Sequence, residues 1–148
     1  MFSLDPKAEA RCRNSFARQP MMTTIGASVL SVKSGEVEIE MPFAAHLTQQ
    51  HGFLHAGVLA TLTDTACGFA ALTLMPDAAA VLATEFKINL LSPGKGDRFI
   101  ARGRVARAGR KLMVCLGEAF AQSEGKRKQI ALMSASVMVV DTSTGLKD

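Results

Sequence analysis

The feature that most constrains the fold is an apolar segment of 23 residues, from Phe53 to Met75. It is apolar nearly throughout, yet it carries a carboxylate, Asp64, near its middle. A helix that is apolar on nearly all sides must be surrounded by other elements. Burying a carboxylate there costs several kcal/mol unless the group is paired or used. The segment therefore predicts a central helix with a functional acid, and a core helix with one solvated Asp is the alternative.

The remaining elements predict a sheet around that helix. The helix is expected to begin at His55, and a first helix over 5–18 is indicated by Asp5-Pro6, a cap followed by proline at the first helical position. Alternating and β-branched segments separated by turn residues predict strands at 23–33, 35–42, 80–91, 97–107, 111–122 and 129–141. A curved antiparallel sheet, its last four strands forming a meander, would wrap the helix in one α+β domain. That domain spans 1–148, with a helix and lead-in at 1–20 and a frayed tail at 142–148.

Composition excludes some functions. The net charge is +4, which suits an anionic small molecule as well as nucleic acid. However, the chain has no Trp or Tyr, and its eight Phe lie mainly in apolar segments rather than beside Lys and Arg. Binders of single-stranded nucleic acid need exposed aromatic platforms among basic residues. We therefore expect no nucleic-acid partner.

The cysteines and the apolar segments predict the cellular compartment of the protein. The chain has three widely spaced cysteines, Cys12, Cys67 and Cys115, which indicates a reducing, cytoplasmic compartment. The N-terminal residues lack the apolar core of a secretory signal. Although the 53–75 segment has the length of a membrane span, a mid-helix Asp makes insertion unfavourable by about 2.5–3.5 kcal/mol. The sequence predicts a soluble protein without a membrane partner.

Three histidines, His46, His51 and His55, lie within ten residues and raise the question of a metal site. No acid or cysteine nearby completes a tetrahedral set of ligands, and Gly52 argues against a shared helical face. We therefore expect no metal.

The motifs along the chain resemble one family. Gly52, His55 and Gly57 lead into the helix, and Asp64 follows the histidine by nine residues. Later segments also match: Thr84 to Pro93, then Gly96-Asp97, and finally Arg102 to Val105 and Gly109 to Leu112. Together they resemble the hotdog-fold acyl-CoA thioesterases of the phenylacetate-degradation (PaaI-like) type. The resemblance implies the hotdog fold, hydrolysis of an acyl-CoA thioester, and no cofactor, since coenzyme A is part of the substrate.

The resemblance also assigns roles within the site. Asp64 would act as general base on water or as nucleophile, and the backbone N–H of Ala56 would stabilise the oxyanion. The family usually has glycine at the position of Ala56, but alanine retains the N–H. Gln49, where the family often has Asn, would position the water or the acid. His55 would orient the site or support the carbonyl, and a purely structural capping role is the alternative.

Helix geometry gives a separate inference about assembly. Nine residues at 1.5 Å each place the Ala56 region roughly 13 Å from Asp64. One thioester carbon cannot lie within ~3 Å of both groups in one subunit. If both serve one reaction, Asp64 must come from a second subunit, so we expect an obligate homodimer with shared active sites. The family's habit implies that such dimers pair again into tetramers.

Substrate contacts are predicted at both ends of the substrate. Around the reacting centre we expect Gly57, Thr65 and Gly68 on the helix and Phe86 on a facing strand, which suits aryl or medium-chain acyl groups. The resemblance implies contact of the CoA phosphates with Arg110 and Lys111, although a solvated outer sheet face would also explain such cations.

Two other functions are compatible with the same motifs. One is a non-catalytic acyl-CoA-binding protein, because Ala56 and Gln49 depart from the family pattern. The other is a hydroxyacyl-CoA dehydratase, which uses the same fold and pairs a histidine with an acid across a dimer. The helical acid nine residues after the histidine favours the thioesterase.

Overall fold

Three α-helices and six strands form residues 5–146, the part of the chain that the computed structural model describes. The helices are α1 (Pro6–Ala17), α2 (Pro20–Ile25) and α3 (Ala56–Leu72). The strands are β1 (Ser28–Lys33), β2 (Glu36–Pro42), β3 (Ala79–Leu90), β4 (Arg98–Ala108), β5 (Leu112–Ser123) and β6 (Lys126–Asp141). Residues 1–4 of the predicted lead-in and 147–148 of the predicted tail lie outside the described residues.

All six strands belong to one antiparallel sheet in the order β1-β2-β4-β5-β6-β3. The prediction of a four-strand meander is therefore wrong in one respect. β3 pairs with β6 at the edge of the sheet instead of pairing with β4, which lies between β2 and β5.

The connection between β3 and β4 explains this order. The Leu91 N–H donates to the Ile130 carbonyl at 2.8 Å, and the Asp97 N–H donates to the Gln122 carbonyl at 2.9 Å. The segment between them, which contains Pro93, thus crosses the ends of β6 and β5 rather than closing a hairpin. After this crossing the chain lies beside β2, and β4 pairs with β2 on one side and with β5 on the other.

The central helix α3 packs directly on the middle of the sheet, as the apolar segment predicts. Gly103 and Gly117, which pair in register on β4 and β5, form the seat. A Cβ at Gly103 would lie 2.3 Å from the Ala66 carbonyl group, and a Cβ at Gly117 would lie 2.6 Å from the Thr63 side chain. The helix backbone therefore approaches the sheet more closely than any larger residue allows.

The N-terminal region contains one confirmed prediction and one error. Helix α1 begins after Asp5, whose carboxylate accepts from the Lys7 N–H at 2.9 Å. The strand predicted at 23–33 begins only at Ser28, because Pro20 starts the short helix α2 instead of only ending α1. Gly26 ends α2 in the left-handed conformation, at φ +70°.

Helix α1 is fastened to the C-terminal half of α3. The Arg11 guanidinium donates to the carbonyls of Leu72, Met75 and Pro76, at the end of the helix and just beyond it, at 2.6 to 2.9 Å. The rings of Phe16 and Phe69 meet edge to face with centroids 5.7 Å apart. These contacts fix the N-terminal segment beside the C-terminal half of α3.

At the other terminus, the tail predicted to be frayed forms a 3₁₀ turn at Thr142–Thr144, as far as the chain is described. No helix within residues 5–146 combines the length and the hydropathy needed to cross a membrane.

Candidate active site

The N-terminus of α3 presents an unused amide. His55 caps the helix, because its Nδ1 accepts from the Gly57 N–H at 2.9 Å. The His55 carbonyl accepts from the N–H groups of Val58 and Leu59. The Ala56 N–H has no acceptor among residues 5–146 and lies at the positive end of the helix dipole. Since Nδ1 accepts, the neutral His55 ring carries its proton on Nε2.

The loop before α3 is held by backbone hydrogen bonds. The His55 N–H donates to the Leu47 carbonyl, and the Leu54 N–H donates to the Gly94 carbonyl, both at 2.9 Å. A Cβ at Gly94 would lie 2.9 Å from the Leu54 Cβ, so this close approach requires glycine. The loop therefore positions the Ala56 amide against the β3–β4 connection.

Gln49 and Ala56 line the same cleft, which has a volume of about 410 Å³. The other lining residues are Phe53, Leu54, Leu59, Leu90, Leu91, Ser92, Pro93 and Gly94. The Gln49 Oε1 accepts from the His51 N–H, which leaves the Nε2 amide as the donor of this side chain. The cleft thus combines two N–H donors with apolar walls, an arrangement suited to a carbonyl oxygen.

Asp64 lines a different cavity, of about 130 Å³. The other lining residues are Gln19, Thr65, Gly68, Phe69, Val81 and Ala83. The Asp64 Oδ1 is buried and has no hydrogen-bond partner among the described residues. Burial raises the pKa of Asp64 above its usual value of 3.8, since desolvation disfavours the charged form. An under-solvated carboxylate of this kind is a stronger base than a surface Asp.

The two cavities have no lining residue in common. Ala56 and Asp64 are eight residues apart on one helix, which corresponds to about 12 Å along its axis. Within one chain, the candidate oxyanion donor and the candidate base therefore face separate spaces.

Other polar groups on α3 are already engaged. The Thr61 hydroxyl donates to the Gly57 carbonyl, and the buried Thr63 hydroxyl donates to the Leu59 carbonyl. Gly57 is engaged twice, since its N–H is bonded to His55. Thr65 and Gly68 both lie in the Asp64 cavity, and Gly68 has open space where a side chain would be.

The cysteines near Asp64 are poor candidates for a nucleophile. Cys67 and Cys115 are both fully buried. Burial raises the pKa of the Cys115 thiol to about 11, and it raises the pKa of Cys67 further. Both thiols are therefore protonated at neutral pH and serve as small apolar groups.

Four predicted substrate contacts line neither of these two cavities: Gly57, Phe86, Arg110 and Lys111. Phe86 is on the α3 side of β3, opposite the buried Ala135, and is 46% exposed. Arg110 and Lys111 form the β4–β5 turn, at the opposite end of the sheet from the Ala56 amide. At that end, the Gly35 N–H donates to the hydroxyl of Thr73, the C-cap of α3.

The structure also adds lining residues that the sequence motifs do not identify. The β3–β4 connection forms one wall of the Ala56 cleft, and Pro93-Gly94 is the available signal of a turn that approaches another segment. Gln19 lines the Asp64 cavity, and no motif marks it.

The three histidines do not form a shared cluster. His46 lies in the 3₁₀ turn Ala45–Leu47, His51 is exposed, and His55 uses its Nδ1 to cap α3. Within residues 5–146, no group of three or more His, Cys, Asp or Glu side chains is arranged to hold a metal ion.

Comparison with solved structures places this geometry among known proteins. A thioesterase family protein from Silicibacter pomeroyi is 47% identical, with 90% of this chain and 98% of that chain covered and a TM-score of 0.89. The PaaI protein of the phenylacetic acid degradation operon of Escherichia coli is 25% identical, with 93% and 96% covered and a TM-score of 0.84.

Comparison by sequence agrees with the structures. The model of the thioesterase superfamily matches residues 51–128, which include the end of the loop, α3 and the strands that seat it. A protein from Saccharolobus solfataricus that carries an esterase name is 32% identical over 102 residues, covering 69% of this chain and 71% of its own. A similarly named protein from Halobacterium salinarum is 34% identical over 94 residues, covering 60% and 62%.

Proposed function

Because this chain belongs to the thioesterase superfamily, as a PaaI-like thioester hydrolase with the hotdog fold, we propose that it hydrolyses acyl-CoA thioesters in active sites shared by two copies of the chain. The observation that carries the proposal is the separation of the Ala56 cleft from the Asp64 cavity. Each holds half of what thioester hydrolysis needs, and a second copy would supply the other half.

Exposed apolar surface beside α3 supports the homodimer. β3 has only β6 as a neighbour among the described strands, so its other edge is free. On this strand and just beyond it, Phe86, Leu90 and Leu91 are 46 to 53% exposed. Free strand edges and exposed apolar patches of this kind are characteristic of interfaces.

The uncovered side of α3 supports the same assembly. Gly57, Thr61, Asp64 and Gly68 recur at helical spacing and are not fully buried. A second chain that joins at β3 would bring its own α3 beside this stripe, with Asp64 near the partner's helix start. A dimer of dimers, which the family implies, would cover Leu112, Leu132 and Met138 on the opposite face of the sheet.

In the proposed mechanism, one chain polarises the thioester. The carbonyl oxygen accepts from the Ala56 N–H, whose position at the helix start favours developing negative charge. The Gln49 Nε2 donates to the same oxygen or to the attacking water. His55 acts as a positioning residue, because its Nδ1 holds the turn that presents the amide.

The other chain supplies Asp64. As general base it takes a proton from water, whose oxygen attacks the carbonyl carbon. The C–S bond then breaks, and the sulfur takes that proton back from Asp64, so CoA leaves as the thiol and the carboxylate is restored. As nucleophile it attacks the carbon directly, the C–S bond breaks, and the CoA thiolate leaves and takes a proton from water. Water then hydrolyses the mixed anhydride, which releases the acid and restores the Asp64 carboxylate. Both routes need the ionised carboxylate, and its raised pKa strengthens it in either role.

The volumes of the two cavities suggest which part of the substrate each one holds. The larger Ala56 cleft suits the pantetheine arm, while the smaller Asp64 cavity suits an aryl or medium-chain acyl group. Arg110 and Lys111 remain our proposed contacts for the CoA phosphates, reached from a second chain. The three free, buried cysteines support a cytoplasmic location.

Thiol release from a panel of acyl-CoA esters tests the proposal. We expect turnover of aryl or medium-chain esters by the wild type and a loss of about 10²–10⁴-fold in kcat for Asp64→Asn, which keeps the shape and removes the base. Asp97→Asn, on an exposed Asp, is the matched control and retains activity.

Two results would replace the proposal with one of its alternatives. Tight binding of CoA esters without thiol release from any of them would identify a non-catalytic binder. Hydration of an enoyl-CoA without thiol release would identify a dehydratase.

A further inference from the structure

We infer that a groove between α1, α2 and the start of β1 is a second binding site, and that it takes a small carboxylate with an apolar group. The groove has a volume of about 340 Å³, which is in the range of small-molecule sites. Its lining residues are Arg13, Phe16, Ala17, Met22, Thr23, Ala27, Ser28 and Val29. The Ala56 cleft and the Asp64 cavity share none of them, so binding in the groove would be a property apart from the proposed hydrolysis.

The floor of the groove is apolar, and the backbone around it is held in place. Phe16 and Met22 are buried in the core, and Val29 packs against it. The Gln19 N–H donates to the Phe16 carbonyl at 3.1 Å, and the Ala27 N–H donates to the Met22 carbonyl at 2.9 Å. These bonds fix the turns that join α1 to α2 and α2 to β1. The groove is therefore formed in advance, and a ligand would not have to order its walls.

The rim of the groove carries one cation with unused donors. Arg13, Phe16 and Ala17 lie three or four residues apart and share one face of α1. Glu9 accepts from the Nε of Arg13 at 2.9 Å. The two Nη groups of Arg13 have no acceptor within residues 5–146. Because a guanidinium presents its donors in a planar fork, these two groups can bind both oxygens of one carboxylate.

The chemistry of the lining indicates the class of ligand. An apolar group would cover the floor, and an anionic end would reach Arg13. Thr23 and Ser28 are exposed beside the groove, and their hydroxyls can donate to the same anion. One guanidinium matches the single charge of a carboxylate better than the roughly two charges of a phosphate monoester. Free acids with an aryl or medium-length alkyl group meet these needs, and under the proposed function they are also the product.

Calorimetric titration with octanoate and octanamide at neutral pH tests the site, since the two ligands share an alkyl chain and differ in charge. We expect the wild type to bind octanoate more tightly. Arg13→Gln should weaken octanoate binding about three- to tenfold, because a partly exposed charge is screened, and should leave octanamide binding unchanged. Ala17→Phe, which fills the groove from α1, should weaken the binding of both ligands. Arg18→Gln removes an exposed arginine outside the lining and should change neither.

Three results would overturn the inference: no binding of octanoate, equal affinity of the wild type for both ligands, or unchanged octanoate binding in folded Arg13→Gln. If octanoate does not bind and Ala17→Phe changes the oligomeric state in size-exclusion chromatography, the groove is an interface between copies of this chain. The titrations do not involve thiol release, so a failure here leaves the proposed hydrolase intact, and a protein without hydrolase activity can still bind the acid. Circular dichroism establishes that each variant is folded.

Discussion

The start and the middle of α3 carry their polar groups in opposite ways. At the start, the donors are a backbone amide and the Gln49 carboxamide, in a loop fastened by hydrogen bonds to Leu47 and Gly94. In the middle, the polar group is the Asp64 carboxylate, whose buried oxygen has no partner among residues 5–146. The donors at the helix start are held in place by hydrogen bonds of the loop, whereas the buried oxygen of the acid in the middle has no hydrogen bond within the described residues.

In the proposed mechanism, this difference would let one helix serve two catalytic tasks. An oxyanion donor is effective when its position is fixed in advance, and the loop contacts provide this. A base is effective when its charge is poorly solvated, and the apolar surroundings of Asp64 provide that. The helix tolerates the unpaired carboxylate because its seat on Gly103 and Gly117 gives close packing elsewhere.

Replacing Ala56 with proline is expected to have the largest effect on the first region. Proline removes the N–H but is favoured at the first helical position, and His55 already has the extended backbone required before proline, with φ −62° and ψ 135°. We expect kcat to fall about 10²–10³-fold with the fold intact. Kinetics and circular dichroism measure the two effects.

The control for this substitution is Ala56→Gly, which retains the N–H. It should keep activity within a few-fold of the wild type. Full activity in a folded Ala56→Pro variant would show that this amide is not the oxyanion donor.

In the second region, Asp64→Asn is expected to stabilise the protein while it removes activity. The folded state binds the Asp64 proton more tightly than the unfolded state, because burial raises the pKa above 3.8. As pH rises through the window above 3.8, the wild type therefore loses stability. Asparagine does not ionise, so the variant does not lose stability in this way. Its Tm should therefore be higher than that of the wild type at neutral pH.

The pH dependence distinguishes this explanation from a general effect of the substitution. The Tm advantage of Asp64→Asn should shrink as pH falls toward 3.8, where the folded wild type also carries a neutral side chain. Scans at one fixed protein concentration check this. A Tm below that of the wild type at neutral pH would mean that the Asp64 carboxylate has a stabilising partner.

The smallest expected effect concerns the binding site of the CoA phosphates. They could bind to the chain that supplies Asp64 or to the chain that supplies Ala56. Arg110 and Lys111 would reach them from the chain that supplies Asp64. Lys126 and Lys128 lie at the other end of the sheet, on the face opposite Arg127, which points to Glu38. Charge reversal of Arg110 and Lys111 should raise KM for an acyl-CoA a few-fold, with little change for the matching acyl-pantetheine.

The same reversal at Lys126 and Lys128 is the matched comparison. If it alone raises KM, the nucleotide follows the chain that supplies Ala56, and our assignment of Arg110 and Lys111 is wrong.

The sequence was sufficient for features that depend on local pattern. Helix α3 begins directly after His55, its N-cap, within one residue of the prediction, since small residues after a capping side chain define a helix start. The spacing from His55 to Asp64 was enough to predict that the two polar regions lie apart, because the rise of an α-helix per residue is constant. Most strand boundaries agree within one to three residues because alternation and turn residues are also local signals.

Features that depend on distant contacts could not be predicted in this way. The position of β3 beside β6 is decided by hydrogen bonds from Leu91 and Asp97 to other strands. Gly103 and Gly117 would ordinarily weaken their strands, although here they are the seat of α3. Gln19 acquires its place only because α1 packs on Phe69, and no local pattern contains that information.

The central claim, that each active site combines Ala56 of one chain with Asp64 of another, is tested most directly by mixing two inactive variants. Ala56→Pro and Asp64→Asn chains are unfolded together, refolded and assayed for thiol release. A mixed dimer would hold one site with both defects and one with neither, so random pairing should restore about a quarter of wild-type activity. Activity no higher than the sum of the separate variants would contradict a shared site.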